Sequence, residues 1–232
     1  MNRIHLVILW HMHQPQYRAP STGTYVMPWT RLHALKDYWG IVKMFEEFPG
    51  VHATINVVPA LGMQLEEYAS GTFDEPWFAL AFRPAESLSA TDKRELLAQG
   101  FHVNRDTLLR RWPRYAELFG RLADEGLEEA AEQFGPREWR DLQLLSQLAW
   151  MDEEYLAKDT VVAGLSHKGA NFSEEDKSAL RAKQLELLAR VLPEYRAAAE
   201  RGQVELSTTP FYHPILPLLC DTDIARVSNP HS

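Results

Sequence analysis

Leu6-Val7-Ile8-Leu9-Trp10-His11-Met12-His13-Gln14-Pro15 is an apolar run that stops in two histidines, an amide and a proline. It has the pattern of a buried strand that carries polar groups to its tip. Strand side chains alternate between faces, which sets Ile4, Leu6, Ile8 and Trp10 on one side and His5, Val7, Leu9, His11 and His13 on the other. His11 and His13 therefore face the same way. Pro15 cannot donate to a sheet ladder, so the strand is expected to end there in a loop.

Working outward, residues 16–29 contain Pro20, Gly23 and Pro28 and read as that loop. Its Tyr17, Tyr25 and Trp29 have two readings, flat faces on which sugar rings or bases stack and plain cover for the core. From Thr30 to Phe48, Leu32, Leu35, Trp39, Val42 and Phe45 recur at helical spacing, and Pro49-Gly50 supplies a stop. Val51 to Val57 then alternates apolar and polar residues as a second strand. A strand-helix-strand order with short links predicts a parallel crossover, whose binding groups gather at the carboxyl ends of the strands. His11, His13 and Asn56 would share that rim.

Between about 61 and 200 the pattern is helical throughout, interrupted by Pro76, Pro84, Pro113, Gly120, Gly135-Pro136 and Gly169. Trp139, Leu142, Leu145, Leu148, Ala149 and Trp150 predict a buried helix over 137–152. Ser173-Glu-Glu-Asp176 predicts a capping box for a helix carrying Leu180, Leu187, Leu188, Val191 and Tyr195, which Pro193 should kink or split. Arg105, Arg110, Arg111 and Arg114, beside Trp112 and Tyr115, read as a solvated helix face rather than a phosphate or nucleic-acid site. Gln203 to Thr209 forms a third strand, with Val204 and Leu206 on one face and Glu205 and Ser207 on the other. A loop containing Tyr212, His213, Cys220, Asp221 and Asp223 follows.

The net charge of -8 argues against a nucleic-acid or anionic-membrane partner, since those need clustered positive charge. The single cysteine, Cys220, excludes an internal disulfide and points to a reducing, cytoplasmic setting. His5 interrupts the first apolar run and no small-residue cleavage site follows, so no export signal is read. No apolar run approaches the ~18 residues of a membrane span.

Two chemistries suit the rim. His11 and His13 on one strand face could share a metal, with His213, Glu205, Asp221 or Asp223 completing the ligands, although no Cys cluster or His-Glu-x-x-His is present. Alternatively His11, His13, Gln14, Asn56, Glu205 and His213 supply the mixed donors and acceptors that a hydroxyl-rich ligand needs. For His11 and Asn56 the plainer reading, satisfaction of loop backbone, stands beside this one. His5, His33, His52, His102, His167 and His231 read as structural or surface residues.

The ordered set Trp10-His-Met-His-Gln-Pro15, Ala53-Thr-Ile-Asn-Val-Val-Pro59, Gly202-Gln-Val-Glu205 and His213-Pro-Ile-Leu-Pro217 resembles the first two signature regions of glycoside hydrolase family 57 and the strand between them. The resemblance runs through essentially the whole chain. It implies an α/β fold in which residues 1–232 form a single, truncated catalytic domain. That domain would be the N-terminal part of an incomplete (β/α)7 barrel, with a large helical insertion over about 61–200 between the second and third strands. It implies hydrolysis or glycosyl transfer on α-glucan-type oligo- or polysaccharides, with no cofactor.

By the resemblance, His13 and Gln14 match the His-Gln-Pro positions, Glu205 the acidic residue of the second signature, and His213 lies in the loop after it. With His11, these are the expected substrate-binding residues. The family is retaining and uses a glutamate nucleophile with an aspartate acid/base, a pair that must lie about 5 Å apart. Both come from later signatures that find no match here, so they are expected beyond Ser232, in the same protein or in a separate chain that completes the barrel. Glu205 with Asp221 is the internal alternative. Two other functions remain open, a non-catalytic saccharide-binding or assembly subunit and a metal-dependent hydrolase using His11 and His13.

Overall fold

Three short strands, β1 (Leu9–Met12), β2 (Ala53–Val57) and β3 (Val204–Ser207), pair in parallel in the order β1-β2-β3 in a computed structural model that describes residues 4–230. The register sets His11 opposite Asn56, and Asn56 opposite Ser207. One level down, Leu9 lies opposite Thr54, and Thr54 opposite Glu205. Because strand side chains alternate, His11, Asn56, Ser207, Thr54 and Glu205 occupy one face of the sheet. Met12, Ala53, Ile55 and Val204 occupy the other and are buried in the core.

The first strand departs from its expected burial. Leu9 is 62% exposed, Trp10 41%, and only Met12 within β1 is buried. β1 is an edge strand bonded on one side, and its regular pairing is confined to Leu9–Met12; Leu9 lies on the sheet face that also carries the exposed Glu205. His231 of the expected surface histidines lies outside the described residues.

The helix expected over 30–48 is continuous but not uniform. It runs as α1 (Trp29–His33), a five-residue π-helical turn (Ala34–Tyr38), α2 (Trp39–Met44) and a final tight turn (Phe45–Glu47). Leu32, Leu35, Trp39, Val42 and Phe45 are all buried, as their spacing predicts. Ten helices separate β2 from β3: α3 (Pro59–Ser70), α4 (Pro76–Phe82), α5 (Ala90–Gln99), α6 (Pro113–Glu125), α7 (Leu127–Gln133), α8 (Pro136–Leu148), α9 (Glu153–Lys158), α10 (Thr160–Lys168), α11 (Glu174–Leu188) and α12 (Val191–Glu200). α12 packs on α2, α3 and β3 and so joins the helical layer to the sheet.

Local signals explain several boundaries. Pro59, Pro76, Pro113 and Pro136 each open a helix, where the missing amide proton would have had no partner. Ser173 and Asp176 form the expected reciprocal capping box at α11. The break between α11 and α12 falls at Ala189–Arg190, leaving Pro193 in the first turn of α12 instead of at the kink itself. The arginine cluster is also corrected: the Arg114 guanidinium is largely buried and pairs with Asp141 (2.8 Å), Glu138 (2.9 Å) and Glu117 (2.7 Å). Arg111 pairs with Glu153 and Arg110 with Asp106.

A wholly buried ion pair sits at the centre of the helical layer. The Arg31 guanidinium donates from Nε and Nη2 to Glu75, and from Nη1 to the Gln147 and Gln184 side-chain oxygens. Tyr68 donates a further hydrogen bond to Glu75 Oε2. One network thus ties α1, the start of α4, α3, α8 and α11, and its two charges are satisfied by partners scattered through 153 residues of chain.

Candidate functional site

The carboxyl ends of the strands bring three imidazoles together. Ring centroids lie 4.6 Å apart for His11 and His213, 5.2 Å for His13 and His213, and 5.8 Å for His11 and His13, with the His13 and His213 rings stacked. His11 and His13 arrive from β1 and its extension by strand alternation. His213 arrives from the loop after β3, and its backbone takes φ = 54°, in the left-handed region that non-glycine residues seldom enter. The loop is held by two backbone bonds, His213 N–H to the Pro210 carbonyl (2.8 Å) and Ala60 N–H to the Phe211 carbonyl (3.2 Å). The second anchors it to the start of α3.

Behind the imidazoles a chain of side chains crosses the sheet. His11 Nδ1 lies 2.9 Å from Asn56 Oδ1, and the Asn56 amide donates to Ser207 Oγ at 3.3 Å. Asn56 is buried while His11 is exposed, so the amide orients a ring whose other edge meets solvent. Both ring-to-amide partners sit at the same level of the sheet, a consequence of the parallel register. Glu205 is exposed on the same face and its Oε2 accepts from Thr54 Oγ1 at 3.4 Å.

Gln14 turns away from the sheet and bridges two phenols. Its amide nitrogen donates to the Tyr38 hydroxyl, and its oxygen accepts from the Tyr17 hydroxyl, each at 2.8 Å. Tyr38 is the last residue of the π-helical turn, so the extra residue there sets where this phenol meets Gln14. Tyr38 OH is pushed up to about 12, chiefly by burial, and remains a neutral hydrogen-bonding group at physiological pH.

Burial lowers the pKa of His13, with the neighbouring His213 and His11 adding to the effect, which favours its neutral form. A neutral ring presents one donor and one acceptor, the pair of functions that a hydroxyl engages. Among the described residues no set of three or more His, Cys, Asp or Glu side chains is placed to hold a metal ion. His11, His13 and His213 form one cluster, with Gln14 adjoining it in sequence. Glu205 stands one strand level below His11 on the same face, and Asp221 and Asp223 lie in an exposed segment where Asp221 caps the backbone of Asp223.

Of the loop aromatics, Tyr25 is buried in the core, Tyr17 is half-buried and packs against it, and Trp29 is half-buried. Tyr38 and Ser207 are site neighbours that sequence reasoning passed over. Ser207 was legible as a polar strand-end residue, but Tyr38 reads in sequence only as a member of a helix.

No helix among the described residues is long and apolar enough to cross a membrane. The family model described as "Glycosyl hydrolase family 57" matches residues 7–228 of the chain. No curated protein and no solved structure matches it closely enough to be reported as a relative.

Proposed function

The chain belongs to glycosyl hydrolase family 57, which implies glycoside hydrolase or glycosyl-transfer activity, and from that premise we propose that its strand-end rim binds α-glucan-type saccharides. The observation that carries this reading is the His11-His13-His213 cluster, braced through Asn56, with Gln14 next in sequence and Glu205 one level down the same sheet face. The imidazoles, with the exposed Glu205 carboxylate on the same sheet face, offer the mixed donors and acceptors that a sugar's hydroxyls engage. His11, His13, Gln14, Glu205 and His213 are the substrate-binding residues in this reading.

Retaining hydrolysis needs a second carboxylate about 5 Å from the first. Glu205 is the one carboxylate on the three strands, so the reading places the nucleophile and the acid/base on further strands of a (β/α)7 barrel. These would join the open edge of β3, from the same protein or from a partner chain. In support, Leu206 is half exposed there, beside an apolar cavity of about 810 Å³ lined by Met12, Val57, Leu61, Leu65 and Tyr195. The helices between β2 and β3 would then be an insertion in that barrel. The exposed free thiol of Cys220 suits a cytoplasmic setting.

Calorimetric titration of the chain with maltooligosaccharides tests the binding role. His13→Ala and Asn56→Ala should each weaken binding by about five- to tenfold, the worth of roughly one hydrogen bond, without changing the circular dichroism spectrum. Unaltered affinity in both variants would sink it. Turnover by the chain alone that disappears in Glu205→Gln would instead show that the catalytic pair lies within these residues.

A further inference from the structure

We infer that the groove between α5 and the loop entering α1 is a second pyranose-binding subsite, joined to the three-histidine rim by a continuous run of aromatic rings; this deepens the saccharide reading and rests on it. Two adjoining cavities of about 290 Å³ each open on this surface and share Met27, Pro28, Trp77, Glu95 and Gln99. One of them is also lined by Trp29, His102 and Trp150. Trp29 and Trp150 are half-buried, with ring centroids 5.7 Å apart, so indole surface faces the groove.

The polar groups are placed on the same wall. Glu95 and Gln99 stand one turn apart on α5, and the Gln99 amide donates to the Glu95 carboxylate. Glu95 is exposed and enters no ion pair among the described residues, so the carboxylate keeps acceptor capacity toward the cavity. A pyranose has an apolar C–H face and a girdle of hydroxyls. Indole faces take the first, and a carboxylate, an amide and an imidazole take the second. An anionic ligand is disfavoured by Glu95 itself and by a chain of net charge -8.

Continuity with the rim argues for a saccharide over an unrelated small molecule. From Trp29 the rings pass to Trp150, from Trp150 to His33 at 5.4 Å edge-on, and from His33 to Tyr38 at 6.2 Å. Tyr38 then bonds to Gln14, the residue that follows His13. His33 is oriented by Asp37, 2.6 Å from its Nδ1. Trp150 and His33 are half-buried and Tyr38 is buried, so these rings form the wall between rim and groove. An extended oligosaccharide seated on the imidazoles would cross above that wall to reach the groove, so the subsite acts on long ligands and leaves short ones untouched.

The test is a titration of the full chain with maltose and with maltooligosaccharides of increasing length, for the unsubstituted protein and for Glu95→Ala, Trp29→Ala and His13→Ala. Glu95→Ala and Trp29→Ala should weaken the longest ligands by about tenfold, or ~1.4 kcal/mol, and leave maltose unchanged; His13→Ala should weaken every length. Glu95 is at the surface, so that variant keeps the test valid if Trp29→Ala fails to fold. Groove variants that bind all lengths like the parent, or lose all lengths equally, overturn the second subsite while the rim reading stands. No binding of any length by the unsubstituted chain overturns both.

Discussion

Replacing Glu75 by alanine should be among the most damaging single changes in the helical layer. Arg31 is 0% exposed and Glu75 3%. The substitution removes both carboxylate oxygens from Nε and one from Nη2, at 2.8 to 3.1 Å, and leaves the guanidinium with only the oxygens of Gln147 and Gln184. The Tyr68 hydroxyl loses its acceptor as well. Breaking a buried pair by deleting one partner costs about 3–5 kcal/mol, because the remaining charge keeps its desolvation penalty. For a chain of this size that corresponds to a fall in melting temperature of roughly 6–20 °C. Thermal unfolding followed by circular dichroism measures it, with urea midpoints at unchanged slope as a second reading. The double variant Arg31→Met/Glu75→Leu removes both charges and should recover most of the loss. A single variant within about 1 kcal/mol of the parent, or a double variant no better than the single, would refute the assignment of this pair as the buried electrostatic centre.

Two further predictions concern packing and titration. A Cβ at Gly40 would lie 2.1 Å from Asp152 Oδ2, and Asp152 is fixed by its own bonds to Glu154 N–H (2.8 Å) and the Leu35 carbonyl (3.0 Å). Gly40→Ala should therefore cost about 1–3 kcal/mol through overpacking, read as a lower melting temperature, and an unchanged melt would show that Asp152 moves freely. His13 has a folded-state pKa below its ordinary value of 6.5, so above that pH its neutral form makes its full contribution. As pH falls below 6.5 the unfolded chain takes up a proton before the folded one, and this contribution is lost as pH passes down through the folded pKa. Stability of the parent should drop more than that of His13→Gln across this window. Equal pH profiles for the two would remove His13 as the source.

The features legible from residue pattern are mostly local. Alternation in Val51 to Val57, the apolar spacing from Leu32 to Phe45 and the Ser173–Asp176 capping box each depend on neighbours a few residues away, and each appears where expected. Alternation also sufficed to put His11 and His13 on one side, and strand-end position sufficed to bring Asn56 toward them. The π-helical turn at Ala34–Tyr38 was not legible, since nothing in the apolar spacing distinguishes it from an uninterrupted helix.

Tertiary structure decided the rest. That Trp10 and Leu9 stand exposed depends on which elements cover β1, a question no strand pattern contains. Arg114 reads in sequence as one of a solvated basic group and becomes buried only because α8 presents Glu138 and Asp141 to it. Arg31 meets Glu75 across 44 residues and Gln184 across 153, and Trp29 meets Trp150 through the packing of α1 near the end of α8. Periodicity fixes the face a side chain occupies on its own element, because that is set by backbone geometry; the partner on that face is set by how distant elements pack.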